Sequence, residues 1–333
     1  MGFDVAITDT FRRWVEAEYP SARVRELENR NGVAAAWLAL EESGFCDTLV
    51  AEEQGGAGAA LETIAQMLFD VARCAAPLPL GATLWVRAAC AAQDIEAPSG
   101  PIAIAPGLRE GEQIRCVNVE LGSIAAHVLV VVEQEAWLLP VATAECRTDG
   151  LHASLNADLG WLRVPHDCVS IRGVEDWRLV GAALFAAQIA GAADRALELT
   201  VAYAGTRTQF GRPIGKFQAL QQRLAVMAED CLAARMAVQL AWRGEGLALE
   251  PAAVAVAKGR CSALVPGIAA VAHLVHGAIG IAEEYDLQLF TRRLYDWRMQ
   301  FGSETYWYRE LGRDVLARSE PVLATLRRWT DAD

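Results

Sequence analysis

Arg207 to Met227 reads RTQFGRPIGKFQALQQRLAVM and holds three successive signals. Arg207-Thr-Gln-Phe210 closes a long apolar segment. Gly211-Arg-Pro213-Ile-Gly215 interrupts it with residues that favour turns. From Phe217 a new helix is expected, because Phe217, Leu220, Leu224 and Met227 recur at the spacing of one helical face. The turn reads as flexible, and it brings the Arg207 guanidinium and the Gln218 amide towards one corner between two apolar helices. A guanidinium offers a fixed two-pronged fork, so a phosphate or carboxylate suits that corner. On spacing alone, a surface helix turn with a capping arginine explains the same residues.

Outward from this stretch, the chain from Trp177 to Trp329 reads as helical. Leu179–Ala204 is apolar nearly all round, which argues for a helix buried in a bundle. Phe217–Trp242, Pro251–Gly277 (with a kink expected at Pro266), Leu287–Trp297 and a last helix near Glu304–Arg328 follow. Pro251 suits a first helical turn, where its missing N–H is not needed. At the other end, residues 3–92 read as helices: Phe3–Glu18, Val33–Ser43, Leu61–Ala75 and a short Leu80–Ala92. Between them the period changes. Ile102–Ala105, Ile114–Leu121, His127–Glu133, Trp137–Val141 and Leu162–Val164 are short runs rich in Val and Ile, as in a small β domain. The expected class is mainly α with a small β domain: an N-terminal helical domain over 1–98, a reduced β domain over 99–176 and a C-terminal helical bundle over 177–333.

Composition narrows the partners. With 333 residues, two or three packed units are expected, and 53% apolar with 22% charged residues is ordinary for a globular enzyme. A formal charge of −12 disfavours a nucleic-acid partner, which needs a basic face. No apolar run is flanked convincingly for a membrane, and the opening MGFDVAITDTFRRW lacks a signal-peptide core. The eight cysteines form no close-spaced pair and the five histidines no HExxH motif, so no metal is expected and the thiols read as reduced, buried and cytoplasmic.

Three segments together resemble the acyl-CoA dehydrogenase family. They are Arg207-x-x-Phe210-Gly-x-Pro-Ile-x-x-Phe-Gln218-x-x-Gln-x-x-Leu-Ala, then His276-Gly277-Ala-Ile-Gly280 with Glu284 and Arg292-Arg293, and the earlier loop Glu52-Glu-Gln-Gly-Gly56-Ala-Gly58. The resemblance implies helices, a small β domain and a four-helix bundle. It also implies FAD, an acyl-CoA substrate, and an electron-transfer flavoprotein or similar acceptor. In such enzymes a carboxylate removes the α-proton while the β-hydrogen leaves as hydride to the flavin. Arg207, Phe210, Gln218, His276 and Gly277 are the cofactor-binding residues that it implies, reaching across a subunit interface to the nucleotide half of a shared FAD.

The departures from the family pattern matter as much. The position of the usual base is Phe301, in Gln300-Phe301-Gly302-Ser303-Glu304, and an ungapped count puts the alternative base position at Gly181. The nearest acids on that helix are Glu175, Asp176 and Asp194. Glu304 is a weak candidate for a relocated base; a helix-terminal acid is the plainer reading. Where most members carry Thr-Glu-Pro-x-Ala-Gly-Ser-Asp beside the flavin ring, this chain has Ile104-Ala-Pro106-Gly107-Leu-Arg109. Leu274 and Ala278 replace a Gln and a Gly of the second segment. No catalytic residue is therefore assigned. The chain resembles the shortened subunit of heterotetrameric bacterial steroid-CoA dehydrogenases, in which a longer subunit supplies the catalytic Glu. Two alternatives stay open: a self-sufficient homodimer with a relocated base, Glu304 or Glu283, and a non-enzymatic scaffold of the same fold.

Overall fold

The computed structural model describes residues 2–133, 135–148, 154–165, 168–171, 176–318 and the positions 321, 323, 324 and 327. It divides into two compact units, one of residues 1–67, 76–181 and 244–248, the other of 68–75, 182–243 and 249–333.

In the first unit, α1 (Gly2–Glu18), α2 (Ser21–Glu28), α3 (Val33–Glu42), the start of α4 (Leu61–Arg73) and α5 (Leu80–Ala91) precede the strands. Phe11, Val15, Val24, Leu27, Trp37 and Leu40 are buried, and α5 is enclosed along nearly its whole length. The Arg87 guanidinium on α5 holds Glu41 at 2.5 Å and Asp47 at 3.2 Å. The Thr83 hydroxyl accepts from Ile102 N at 3.0 Å, fixing the start of β1 to α5.

The strands form two four-stranded sheets. One is ordered β1 (Ile102–Pro106), β4 (His127–Val132), β5 (Glu135–Pro140), β8 (Val169–Ser170); the other β2 (Leu108–Glu110), β3 (Gln113–Val119), β7 (Ala157–Trp161), β6 (Glu145–Arg147). Among the described residues of these sheets only β1 and β4 pair in parallel. Ala103, Val128, Val130 and Leu139 of the first sheet share one core with Ile114, Cys116, Leu159 and Trp161 of the second. Gly107 lets the chain pass from one sheet to the other, since a Cβ there would lie 2.5 Å from Val130 Cγ1. The strand expected at Leu162–Val164 is displaced: pairing with β3 ends at Trp161 and with β6 at Gly160, and Leu162 is exposed.

Among its described residues the second unit is helical apart from one hairpin, with α6 (Trp177–Thr206, from residue 182 on), α7 (Gln218–Ala241), α8 (Pro251–His276), α9 (Leu287–Met299) and α10 (Glu304–Ala317). Residues 182–193 of α6 are buried on every side, as an all-round apolar helix requires. Gly191 permits this, because a Cβ would fall 2.2 Å from the Phe69 carbonyl at the end of α4. The burial is internal to the chain, so α6 does not supply an open apolar surface over this length. α8 lies against α7, α9 and α10 and runs on through Pro266. By length and composition alone, Pro251–Ile281 is apolar enough to cross a membrane; it contains Lys258 and Arg260 and is packed among its neighbours. The helix expected over Glu304–Arg328 is interrupted: α10 ends at Ala317, residues 323, 324 and 327 are helical again, and most of 319–333 lies outside the described residues.

All eight cysteines are free, and Cys46, Cys90, Cys116, Cys231 and Cys261 are buried. Burial pushes Cys90 up to about 11 and the other four up to about 12. Among the described residues no cluster of three His, Cys, Asp or Glu side chains could hold a metal.

Candidate flavin-nucleotide corner

The turn after α6 is a closed hairpin rather than a flexible link. β9 (Thr208–Gln209) pairs with β10 (Arg212–Pro213), and Ile214 N donates to Arg207 O at 2.8 Å. The two residues at the tip, Phe210 and Gly211, have φ of 50° and 76°. Positive φ at both tip positions is the twist that suits a two-residue hairpin. Glycine adopts it freely, but a phenylalanine there is strained. The Phe210 ring is 91% exposed and meets Phe217 edge-on at 6.1 Å. The Arg212 guanidinium lies 4.3 Å above the Phe217 ring.

Arg207 and Gln218 are both exposed, and Gln218 is the first residue of α7. Phe217, the N-cap, offers no side-chain acceptor to the first-turn N–H groups. Below lies a small core of Ala204, Ile214 and Val275, with Tyr203, Phe217, Leu220 and Val271 packed on it. An exposed fork, an uncapped helix start and an outward aromatic ring on a rigid floor fit a diphosphate joined to a flat ring system.

His276 and Gly277 behave differently from each other. The His276 ring is buried: Nδ1 is 2.8 Å from Ala272 O and Nε2 is 3.1 Å from the Tyr285 hydroxyl. With both ring nitrogens engaged, the side chain has no atom left for a ligand. Burial lowers its pKa, His273 lowers it further, and the bond to Ala272 opposes both. Gly277, at φ 63° and ψ −143°, is in a region only glycine occupies readily, and its missing Cβ faces open space. Gly280 is instead a packing glycine, since a Cβ would meet His276 Cβ at 3.0 Å and His273 Nδ1 at 3.2 Å.

Neither position expected for a base carries a carboxylate. Phe301, with φ of 53°, is buried and stacks on Phe185 at 5.9 Å. Its carbonyl accepts from Trp307 Nε1 at 3.0 Å. Gly181 is buried on α6. Glu304 is gripped at both oxygens by Arg298, with Nε to Oε2 at 3.0 Å and Nη2 to Oε1 as the second bond. That pairing holds its carboxyl below the usual range, which makes it a weaker base. Asp194 is paired with Arg73, and Asp176 Oδ1 accepts from Arg178 N at the head of α6. Glu175 lies outside the described residues. Glu283 is exposed in the turn before α9.

Sequence reasoning missed Lys258. It is fully buried on α8, and its ammonium donates to Ser262 Oγ at 2.8 Å, Trp297 O at 3.0 Å and Arg298 O at 2.9 Å. It therefore caps the C-terminal end of α9, just before the turn that holds Phe301. Burial pushes its pKa down to about 7. In the first unit, Ile104 and Ala105 lie buried in β1, and Ile104–Arg109 offers no hydroxyl or carboxylate to a flavin ring.

Comparison with known proteins settles the lineage. The acyl-CoA dehydrogenase N-terminal domain profile matches residues 4–97 and the C-terminal domain profile residues 179–309. Acyl-CoA dehydrogenase IpdE2 of Mycobacterium tuberculosis is 33% identical, over 77% of this chain and 78% of that protein. The chain belongs to the acyl-CoA dehydrogenase family. IpdE2 of Mycolicibacterium smegmatis is 28% identical over 84% of the chain and 86% of that protein. Two solved structures share the acyl-CoA dehydrogenase fold. One is a steroid ACAD variant, Tcur3481-Tcur3483, with a TM-score of 0.79 at 22% identity, covering 93% of this chain and 96% of that one. The other is the ChsE4-ChsE5 complex of Mycobacterium tuberculosis, with a TM-score of 0.78 at 21% identity, covering 96% and 99%.

Proposed function

We propose that this chain is the accessory subunit of a heteromeric FAD-dependent acyl-CoA dehydrogenase. It lends the Arg207–Phe210–Gln218 corner to an FAD shared across a subunit interface, while a longer family member supplies the catalytic Glu. The observation that carries the reading is Phe301. At the family's base position stands a buried ring stacked on Phe185, and the adjacent acid, Glu304, is neutralised by Arg298. Both facts oppose a self-sufficient homodimer. The exposed corner opposes a pure scaffold, which has no need of a strained, outward Phe210.

In such an assembly bound FAD supplies hydride acceptance. Arg207 neutralises phosphate charge, Phe210 covers a flat face, and the start of α7 offers N–H groups. The fold shared with the steroid ACAD Tcur3481-Tcur3483 supports a bulky polycyclic acyl-CoA. An electron-transfer flavoprotein or similar carrier takes the electrons, and the setting is cytoplasmic.

Stoichiometry tests this directly. Purified alone, the chain is expected to be colourless. Co-expressed with the longer chain, it is expected to yield one FAD per pair of unlike chains, read by native mass and flavin absorbance. One FAD per copy of the solitary chain would overturn the reading. Arg207→Ala is expected to weaken FAD retention in the complex by roughly 10–100-fold, the worth of a charge-assisted pair. Helix content should stay unchanged, and full occupancy after gel filtration would remove Arg207 from the site.

A further inference from the structure

Resting on that reading, we infer that His276 and Tyr285 are positioning residues that set the Arg207 corner through Tyr203, without touching the cofactor. The Tyr203 ring, on the last turn of α6, stacks on His276 at 4.6 Å and 27°. Its carbonyl accepts from Arg207 N at 2.8 Å, so the last backbone bond at the end of α6 ties Arg207, which directly precedes β9, to this residue. His276 is in turn fixed at both nitrogens. Ala272 O can only accept, so Nδ1 carries the proton and Nε2 accepts from Tyr285. Tyr285 also meets Tyr203 edge-on at 6.2 Å, so the two tyrosines and the histidine form one braced cluster.

The cluster explains why a histidine serves here. Phenylalanine would keep the stack but leave Ala272 O and the Tyr285 hydroxyl without this partner. The groups that face His276 are Tyr203 on α6, Tyr285 in the turn, and His273 on α8; Asp286 acts on Tyr285. Protonation of His276 turns Nε2 from acceptor to donor and forces the Tyr285 hydroxyl to rotate. The brace is therefore strongest while His276 is neutral.

The test uses the assembled complex with the longer chain, titrated with FAD and read by flavin absorbance and circular dichroism. His276→Ala is expected to weaken FAD binding about tenfold, the scale of one lost hydrogen-bonding arrangement. His276→Phe, which keeps the stack, is expected to recover part of that loss. Acidification should release FAD from the parent complex. Tyr285→Phe should blunt that release, because the hydroxyl that protonated Nε2 would force to rotate is gone. His276→Phe should lack this pH dependence.

Arg207→Ala separates the two layers. Unchanged FAD retention in Arg207→Ala overturns the corner itself. Loss in Arg207→Ala with parent-like retention and pH profile in His276→Ala and Tyr285→Phe overturns the brace alone. A His276→Phe variant that restores parent affinity and melting temperature in full makes His276 ordinary core packing and also overturns it.

Discussion

Lys258→Ala is expected to destabilise the chain by about 3–5 kcal/mol, combining the cavity left by the side-chain stem with unsatisfied carbonyls at the end of α9. Trp297 O and Arg298 O have Lys258 as a donor from inside the bundle. Lys258→Met keeps most of the volume and loses only the donors, so its cost is expected to be smaller. The pH dependence is a separate signature. In the native state the ammonium loses its proton near pH 7, while the unfolded chain holds its proton to about 10.4. Between those values the unfolded state binds the extra proton, so the stability of the parent relative to Lys258→Met rises with pH. Chemical denaturation at pH 6.5, 8 and 9.5 reads this. A flat difference would show that the burial does not depress the amine.

Phe301 yields the second large effect. Phe301→Ala is expected to cost about 3–5 kcal/mol, as for other buried aromatic truncations. Its ring is nearly inaccessible, and alanine keeps the Cβ strained at positive φ while losing the stack on Phe185. Phe301→Glu, which places a carboxylate at the position expected for the base, is expected to destabilise the chain without conferring activity. The carboxylate would enter an aromatic contact with a steep desolvation cost, and Ile104–Arg109 still offers no polar cradle for a flavin ring. Thermal melts together with a dye-reduction assay on the solitary variant decide it. Measurable dehydrogenation by Phe301→Glu alone would mean that the missing base is the only defect.

Much of the fold was legible because its signals were periodic. The all-round apolar run of α6 announced a buried helix, and the Val- and Ile-rich runs of β1, β3, β4 and β5 announced strands. β7 was not legible: Asp158 and Gly160 alternate with Ala157, Leu159 and Trp161, and dilute its apolar character below the exposed run at Leu162. α2 was hidden because it offers only two apolar residues, Val24 and Leu27, to the core, directly after Pro20.

At the corner, the Gly-Pro-Gly composition announced a bend but not a hairpin with a phenylalanine at its tip. The His276 segment was recognisable as a unit, yet the direction of its ring depends on Tyr203 and Tyr285 from other elements. Lys258 escaped because a lone lysine reads as solvated. Its spacing with Val254, Cys261 and Val265 places it on the buried stripe of α8, and that was the available clue.

The buried thiols make the chain its own chemical clock. A thiol held near 12 is thiolate in only ~10⁻⁵ of copies at neutral pH, and an alkylating reagent needs both the thiolate and a path to it. Reagent added to the folded protein therefore meets the exposed Cys146 first, and each later wave of labelling waits for a breathing event. Cys116 sits in the two-sheet core and Cys261 one turn beyond Lys258 on α8. The separate labelling rates of these two sites time the loosening of the sheets and of the helical unit independently, with no probe introduced by mutation.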